Sequence, residues 1–146
     1  MSIRAALLVA LTLVALAAGA TPAAISSTNP TIQVKSSRFG KILFDGRGFA
    51  LYAFTRDPAA SSACYGACAA AWPPYVVRGK LAVAAGLKRV LVGTTRRRDG
   101  KLQATYAGRP LYYYVGDRSP GQILCQNIVE FGGTWLVVAQ SGKLVR

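Results

Sequence analysis

The residues of this chain that could do chemistry are a duplicated tyrosine–aspartate element and three cysteines. LYAFTRD (51–57) and LYYYVGD (111–117) each place a Tyr and a second aromatic residue ahead of an Asp. The residues concerned are Tyr52, Phe54 and Asp57 in the first copy and Tyr112, Tyr114 and Asp117 in the second. They could line an aromatic pocket with a carboxylate at its mouth. We favour a structural role, because a buried Tyr hydroxyl needs a partner and an Asp five residues on could provide one.

The three cysteines, Cys64, Cys68 and Cys125, allow one disulfide and leave one thiol over. In the chain-entropy model a bridge between Cys64 and Cys68 contributes about 2 kcal/mol, and a bridge from either to Cys125 about 4 kcal/mol. We predict the Cys64–Cys68 pair, because this spacing within one turn brings the two sulfurs together in any compact fold. Cys125 would then be a free thiol, either buried or reactive.

Catalytic and metal sites are poorly supported by the residue types present. Three thiolates could hold Cu(I), but the chain has no His and its one Met is Met1. Without His, neither a Ser-His nor a Cys-His nucleophile can form, and no phosphate-binding Gly loop is present. Asp57 and Asp117 could converge as the two carboxylates of a hydrolase, but both lie in turn-capping sequence. We expect no enzyme activity, no metal and no cofactor; a Cys-based redox or copper-handling protein is the alternative.

The charge balance favours an anionic partner. The chain has 18 Lys and Arg against 5 Asp and Glu, and loss of Arg4 with a signal peptide would leave a net charge of +12. Such a field attracts polyanions, although it could equally serve only to keep a secreted domain soluble. The best candidate for an anion-binding patch lies between residues 78 and 101 and contains Arg78, Lys80, Lys88, Arg89, Arg96, Arg97, Arg98 and Lys101. No aromatic residue interrupts its basic run, so specific recognition of nucleic acid is not expected.

The first 34 residues predict export. Arg4 precedes an apolar run from Ala5 to Ala18, which is shorter than the roughly 20 residues that span a bilayer. Small residues follow, so we predict a signal peptide over 1–20 with no transmembrane segment after cleavage; an uncleaved anchor is the alternative. Residues 21–34 are rich in Thr, Ser, Ala and Pro and are predicted to form a flexible leader.

An internal duplication organises residues 35–146, which we predict to be a single domain. A shift of 60 residues aligns repeat one (about 40–78) with repeat two (about 98–140). Each repeat reads as a β-hairpin, KILFD or KLQATY followed by a Gly turn and an aromatic strand. Alternation places Tyr52 and Phe54 on the strand face opposite Leu51 and Ala53, so both faces should be covered.

From this pattern we predict a mainly β fold with little helix, in which two pseudo-symmetric antiparallel hairpins pack their aromatic faces together. The convincing helical segment is SSACYGACAAAWPP, a capped turn or two that Pro73 ends. Asp57 and Asp117 fall just past the strand ends and should accept from backbone N–H groups two or three residues on.

The doubled Tyr-x4-Asp element, SACYGACAAAWPP and GRPLYYYVGDRSPG together resemble the bacterial secreted-repeat lipoproteins of unknown function, over about residues 35–140. The resemblance implies a secreted, periplasmic or envelope-associated protein, and the family's Cys-x-Gly-x-Cys pattern implies the same local disulfide. Because the resemblance loosely ties some relatives to alkane catabolism, an accessory protein linked to alkane catabolism is a further alternative function. Many members carry a lipid-attachment Cys, which this chain lacks near the predicted cleavage site. We therefore expect a non-catalytic binding or envelope-associated module whose partner is an anionic envelope surface or a polyanion.

Overall fold

The computed structural model describes residues 31–146. The predicted signal peptide, and the leader up to residue 30, lie outside the described residues. The strands are β1 (Thr31–Ser37), β2 (Gly40–Asp45), β3 (Tyr52–Phe54), β4 (Ala82–Val83), β5 (Val92–Arg96), β6 (Leu102–Tyr106), β7 (Arg109–Pro110), β8 (Ile128–Glu130) and β9 (Gly133–Val137). A short helix, α1 (Ala67–Ala71), and a 3₁₀ turn (Arg89–Leu91) complete the elements of this part of the chain. None of the helices in residues 31–146 has the length and apolar character needed to cross a membrane.

Three small sheets carry the fold, with strand orders β2-β1-β4, β3-β9-β8 and β5-β6-β7. The antiparallel pairs β1–β2 and β5–β6 are the corresponding hairpins of the two repeats. Each repeat therefore begins one strand earlier than we predicted. The last four residues of the predicted leader, 31–34, belong to β1, because Ile32 is fully buried and the strand pairs along its length with β2.

The predicted hairpin between KILFD and the aromatic strand is only partly formed in repeat one. Phe44 and Ala50 form an isolated bridge, and Leu51 N donates to Leu43 O at 3.1 Å. The chain then leaves β2, and β3 pairs antiparallel with β9. In repeat two β6 turns into β7 through Ala107 and Gly108, which have positive φ angles of 50° and 74°, and of the predicted aromatic strand Leu111 continues this hairpin by donating to Ala104 O at 3.0 Å.

Both faces of β3 are buried, as alternation predicted. Tyr52 and Phe54 lie in one core cluster with Trp72 and Trp135. Leu51 and Ala53 lie in a second cluster, with Tyr75 and Tyr106 among its members. The short strands thus separate two cores and cannot shift by one residue without exchanging their faces.

The two repeats meet around a pseudo-two-fold axis. Tyr52 and Tyr112 exchange two backbone hydrogen bonds of 2.9 Å each. Beside them Trp72 and Trp135 stack with ring centres 4.1 Å apart and planes 2° apart. Phe54 extends this column over Trp135 at 4.2 Å, and Tyr114 extends it over Trp72 at 4.7 Å. The predicted packing of aromatic faces is therefore present, with the tryptophans at its centre.

Helix α1 ends at Ala71, with Trp72 at its C-cap directly before Pro73, as the sequence predicts. Its predicted side-chain cap is wrong, because the capping position is Gly66, which has no side chain to accept a bond. With only five residues, the helix depends on its surroundings for stability.

Candidate functional site

The duplicated tyrosines and aspartates are joined across the two repeats. The Tyr52 hydroxyl donates to Asp117 Oδ2 at 2.6 Å, and the Tyr112 hydroxyl donates to Asp57 Oδ2 at 2.7 Å. Our expectation that each Tyr uses the Asp of its own element is wrong. The antiparallel bridge pairs Tyr52 directly with Tyr112, so the two segments meet at their starts and each Tyr side chain reaches the Asp of the other segment.

The second oxygen of each aspartate fastens a loop. Asp57 Oδ1 accepts from Ala63 N at 2.8 Å, and Asp117 Oδ1 accepts from Leu124 N at 2.9 Å. These donors lie six and seven residues on, so the predicted capping two or three residues away is also wrong. Each aspartate therefore connects the core to the loop that its own repeat places after the aromatic strand.

The electrostatics of the crossed pairs keep both tyrosine hydroxyls protonated. Burial raises the pKa of both Tyr52 and Tyr112, and the neighbouring carboxylate raises it further. Burial also raises the pKa of Asp117, and raises that of Asp57 to about 6 although its N–H and O–H donors and Arg97 favour the charged form. The hydroxyls stay protonated and donate inward, which is the arrangement of a structural network.

A buried arginine that follows β5 of repeat two joins the Tyr112–Asp57 pair. Arg97 Nη1 donates to Ser62 Oγ at 2.8 Å and to Gln103 Oε1 at 2.7 Å, and Nη2 donates to Cys64 O at 2.7 Å. Ser62 Oγ also lies 2.8 Å from the Tyr112 hydroxyl, so the guanidinium and the crossed pair form one network. Only 1% of the Arg97 side chain is exposed.

This burial removes Arg97 from the predicted anion patch. Along β5 and the two residues after it, Thr95 and Arg97 are buried while Thr94, Arg96 and Arg98 are exposed. The alternation of the strand thus turns Arg97 inward. The other seven residues of the patch are exposed: Arg78, Lys80, Lys88, Arg89, Arg96, Arg98 and Lys101.

An aromatic ring that sequence spacing could not reveal lies against this patch. The Arg98 guanidinium lies 4.1 Å from the centre of the Tyr65 ring, and Arg97 lies 4.4 Å from it. The Tyr65 hydroxyl accepts from Arg98 N at 3.1 Å. Tyr65 comes from the disulfide loop, 33 residues earlier in the chain. We predicted no aromatic residue among the basic residues, and the fold supplies one from this distant segment.

The surface of the described residues carries charge of almost one sign. Of their 17 Lys and Arg, only Arg97 is buried. Of their five carboxylates, Asp45 and Asp117 are buried and Asp57 is half-buried, leaving Asp99 and Glu130 exposed. Asp99 forms ion pairs with its hairpin neighbour Lys101, and Glu130 accepts from Trp72 Nε1 at 2.9 Å. Most of the negative charge is therefore internal, and the outer surface is cationic.

The structure joins Cys64 and Cys68 in a disulfide, with Cα atoms 5.3 Å apart. Cys125 is free and buried, and its burial raises the pKa of the thiol. The two disulfide sulfurs cannot act as thiolate ligands in this state. Across residues 31–146, no cluster of three or more His, Cys, Asp or Glu side chains is arranged to hold a metal ion.

A cleft that our sequence interpretation missed lies at the end of β2. It has a volume of about 770 Å³ and is lined by Asp45, Arg47, Tyr75, Arg78 and Tyr113, among others. Arg78 belongs to the predicted patch, whereas the other four carry no recognisable local pattern. Smaller clefts of about 470 and 530 Å³ have Lys41 with Lys88, and Lys35 with Arg38, in their walls.

The sequence model of a protein family described as a secreted repeat of unknown function matches residues 33–75 and 93–139. The two matched segments begin within β1 and β5, so they correspond to the structural repeats. No curated protein and no solved structure matches the chain.

Proposed function

Because the chain belongs to the family of secreted repeats of unknown function, we propose that it is a non-catalytic module that binds anionic polymers or anionic envelope surfaces outside the cytoplasm. A disulfide fits an extracytoplasmic location, since such bonds persist in oxidising compartments. The duplicated motif supports a non-catalytic role because its hydroxyls and carboxylates already bind one another.

The observation that carries the proposal is the separation of charge between interior and surface. Sixteen basic side chains of the described residues are exposed, against two exposed carboxylates. A surface of this kind attracts polyanions at long range and concentrates them without specific contacts. Solubility alone does not require that carboxylates be turned inward, so the asymmetry favours a binding role.

The hairpin tip between β5 and β6 is the part of this surface best built for binding. Arg96, Arg98 and Lys101 project from a turn that Arg97 anchors to the core. The Tyr65 ring packs against the Arg98 guanidinium, and the Tyr65 hydroxyl accepts a hydrogen bond from Arg98 N. A cation that is already positioned loses less conformational entropy when an anionic group binds.

The test measures binding of the chain from residue 21 to polygalacturonate and to phosphatidylglycerol vesicles across a salt series. Affinity should fall steeply with salt, because the Debye length drops from about 10 Å at 0.1 M to about 3 Å at 1 M. The variant with Arg96→Ser and Arg98→Ser should bind at least roughly tenfold more weakly at low salt, since each basic group near an anionic surface contributes about 1 kcal/mol.

The matched control changes two exposed arginines elsewhere, Arg109→Ser and Arg118→Ser, and so removes the same charge. It should lose less affinity than the hairpin variant. The proposal is wrong if neither probe binds at low salt, or if the hairpin variant binds as tightly as the parent.

A further inference from the structure

The cleft at the end of β2 has the dimensions of a small-molecule site. It is an open depression of about 770 Å³, within the range of roughly 300–1,000 Å³ that such sites occupy. One wall is the turn that follows β2, and the other is the segment from Pro74 to Arg78. Tyr75 and Tyr113, with ring centres 5.3 Å apart, connect the cleft to the second core.

One guanidinium in the cleft is held in place before any ligand binds. Arg47 Nε donates to Asp45 Oδ2 at 2.8 Å, while the guanidinium lies 5.0 Å from the Phe49 ring centre and 5.7 Å from that of Tyr113. Its side chain is 71% exposed, and the guanidinium also interacts with the Tyr113 hydroxyl. A guanidinium that is fixed and largely exposed is suited to a planar anion such as a carboxylate.

The carboxylate of Asp45 does not compete for that position. Its Oδ1 accepts from Arg47 N and Phe49 N, both at 2.9 Å, and its Oδ2 accepts from Arg47 Nε and from the Tyr113 hydroxyl at 3.1 Å. Arg78 adds a second, exposed cation that has no hydrogen-bond or ion-pair partner within the described part of the chain. The charges of Arg47, Arg78 and Asp45 sum to +1, which matches a ligand with a single negative charge.

The rest of the lining favours a hydroxylated ring over an aromatic one. Tyr75 is only 5% exposed, and Arg47 lies over the Tyr113 ring, so neither tyrosine offers an open face on which a base could stack. Gln33 uses its Nε2 to donate to Asp45 O at 2.6 Å, which leaves its Oε1 as an acceptor for a hydroxyl. Pro74 and Val76 supply apolar contact for the carbon atoms of a ring.

We propose that this cleft binds one small carboxylate of the sugar-acid class, with the carboxylate on Arg47 and Arg78 and the hydroxylated ring against Gln33 and Val76. The site is distinct from the hairpin tip and recognises a single acid unit by shape and hydrogen bonding. The inference therefore stands or falls separately from polymer binding by the cationic surface.

The experiment follows amide shifts of the ¹⁵N-labelled chain from residue 21 during titration with galacturonate. Shifts should be confined to residues 31–33, 45–47, 75–78 and 113, and galactose, which lacks the carboxylate, should cause far weaker shifts. Scattered shifts, or none, would overturn the proposal. Stronger binding of benzoate would overturn the sugar-acid class, and equal binding of inorganic phosphate would overturn recognition of a carboxylate.

Variants locate the site. Arg78→Gln should weaken galacturonate binding about tenfold, as expected for loss of one charge-assisted hydrogen bond. Arg109→Gln, an exposed change outside the cleft, should leave it unchanged. If Arg47→Gln and Arg78→Gln both remain folded, by the dispersion of their amide spectra, and bind like the parent, the proposed carboxylate position is wrong.

Discussion

The loops that follow Asp57 and Asp117 begin alike and continue differently. Both are fastened at their start by an aspartate oxygen that accepts a backbone N–H. The loop of repeat one is then held by the buried Arg97 and closed by the disulfide. The loop of repeat two is held by Arg38, an exposed side chain whose Nη2 donates to Ile123 O at 2.8 Å, and its Cys125 is free.

This difference shows that both repeats must supply the same core contacts, whereas their loops can be fastened in different ways. The pseudo-two-fold core needs both crossed Tyr–Asp pairs and both tryptophans, because each repeat completes the other's hydrogen bonds and ring contacts. The loops that follow the two aspartates are each fastened by an arginine of the other repeat, Arg97 or Arg38, and these two fastenings can differ while the core stays the same. The loop of repeat one, held by Arg97 and the disulfide, is the rigid support beside the cationic hairpin tip.

The largest expected effect comes from Arg97→Ser. It removes three hydrogen bonds of a buried charge from Ser62, Cys64 and Gln103, and we expect a loss of about 3 kcal/mol in the free energy of unfolding. The matched change Arg38→Ser removes one bond of an exposed side chain and should cost under about 1 kcal/mol. Urea denaturation compares the two, and equal losses would show that the loops are fastened equally.

A smaller effect separates the two tyrosines. Tyr52→Phe should cost about 1 kcal/mol, because it removes the one hydroxyl partner of Asp117. Tyr112→Phe should cost somewhat more, up to about 2 kcal/mol, since its hydroxyl contacts both Asp57 and Ser62. Midpoints of chemical denaturation measure both. If neither midpoint moves, the crossed pairs do not stabilise the fold.

The smallest effect is a pH dependence in repeat one. Burial raises the pKa of Asp57 from 3.8 to about 6, so between these values the folded chain takes up a proton more readily than the unfolded chain. This site therefore adds stability as the pH falls from about 6 toward 4, and that stability is lost as the pH rises through the same window.

The variant Asp57→Asn isolates this contribution, because it keeps the shape of the side chain and cannot ionise. We expect the difference in unfolding free energy between parent and variant to shift in favour of the parent as the pH falls across the window. A difference that stays constant, or shifts the other way, would contradict the raised pKa. Asp117→Asn should shift in the same direction, since burial raises that pKa too.

The sequence predicts the fold best where short-range patterns decide it. The 60-residue shift reveals the repeats, and alternation in LYAF correctly assigns Tyr52 and Phe54 to one core and Leu51 and Ala53 to the other. Pro73 correctly marks the end of α1. The start of β1 was missed because Thr31 to Val34 follow a polar, Pro-containing segment that hides their alternation.

The candidate sites depend on long-range geometry, and much of that geometry has no local signal. Nothing in either Tyr-x4-Asp element indicates that the pairs cross between repeats. The cleft joins Asp45 to Tyr75 and Tyr113, which are far apart in the chain. Arg97 is the exception, because its burial did have a local signal. Extending the alternation of β5 by one residue predicts an inward side chain. The run of three arginines suggested instead that all of them lie in a solvated tip.

The central claim is that the duplicated motif holds the fold while the outer cations bind the anionic partner, and Tyr112→Phe tests it most directly. Its affinity for polygalacturonate would be measured at low salt, at a temperature where circular dichroism shows the variant to be folded. We predict the parent's affinity, although stability is reduced, while the chain with Arg96→Ser and Arg98→Ser binds at least roughly tenfold more weakly. A folded Tyr112→Phe chain that no longer binds the polymer would contradict the account and place the binding site at the motif itself.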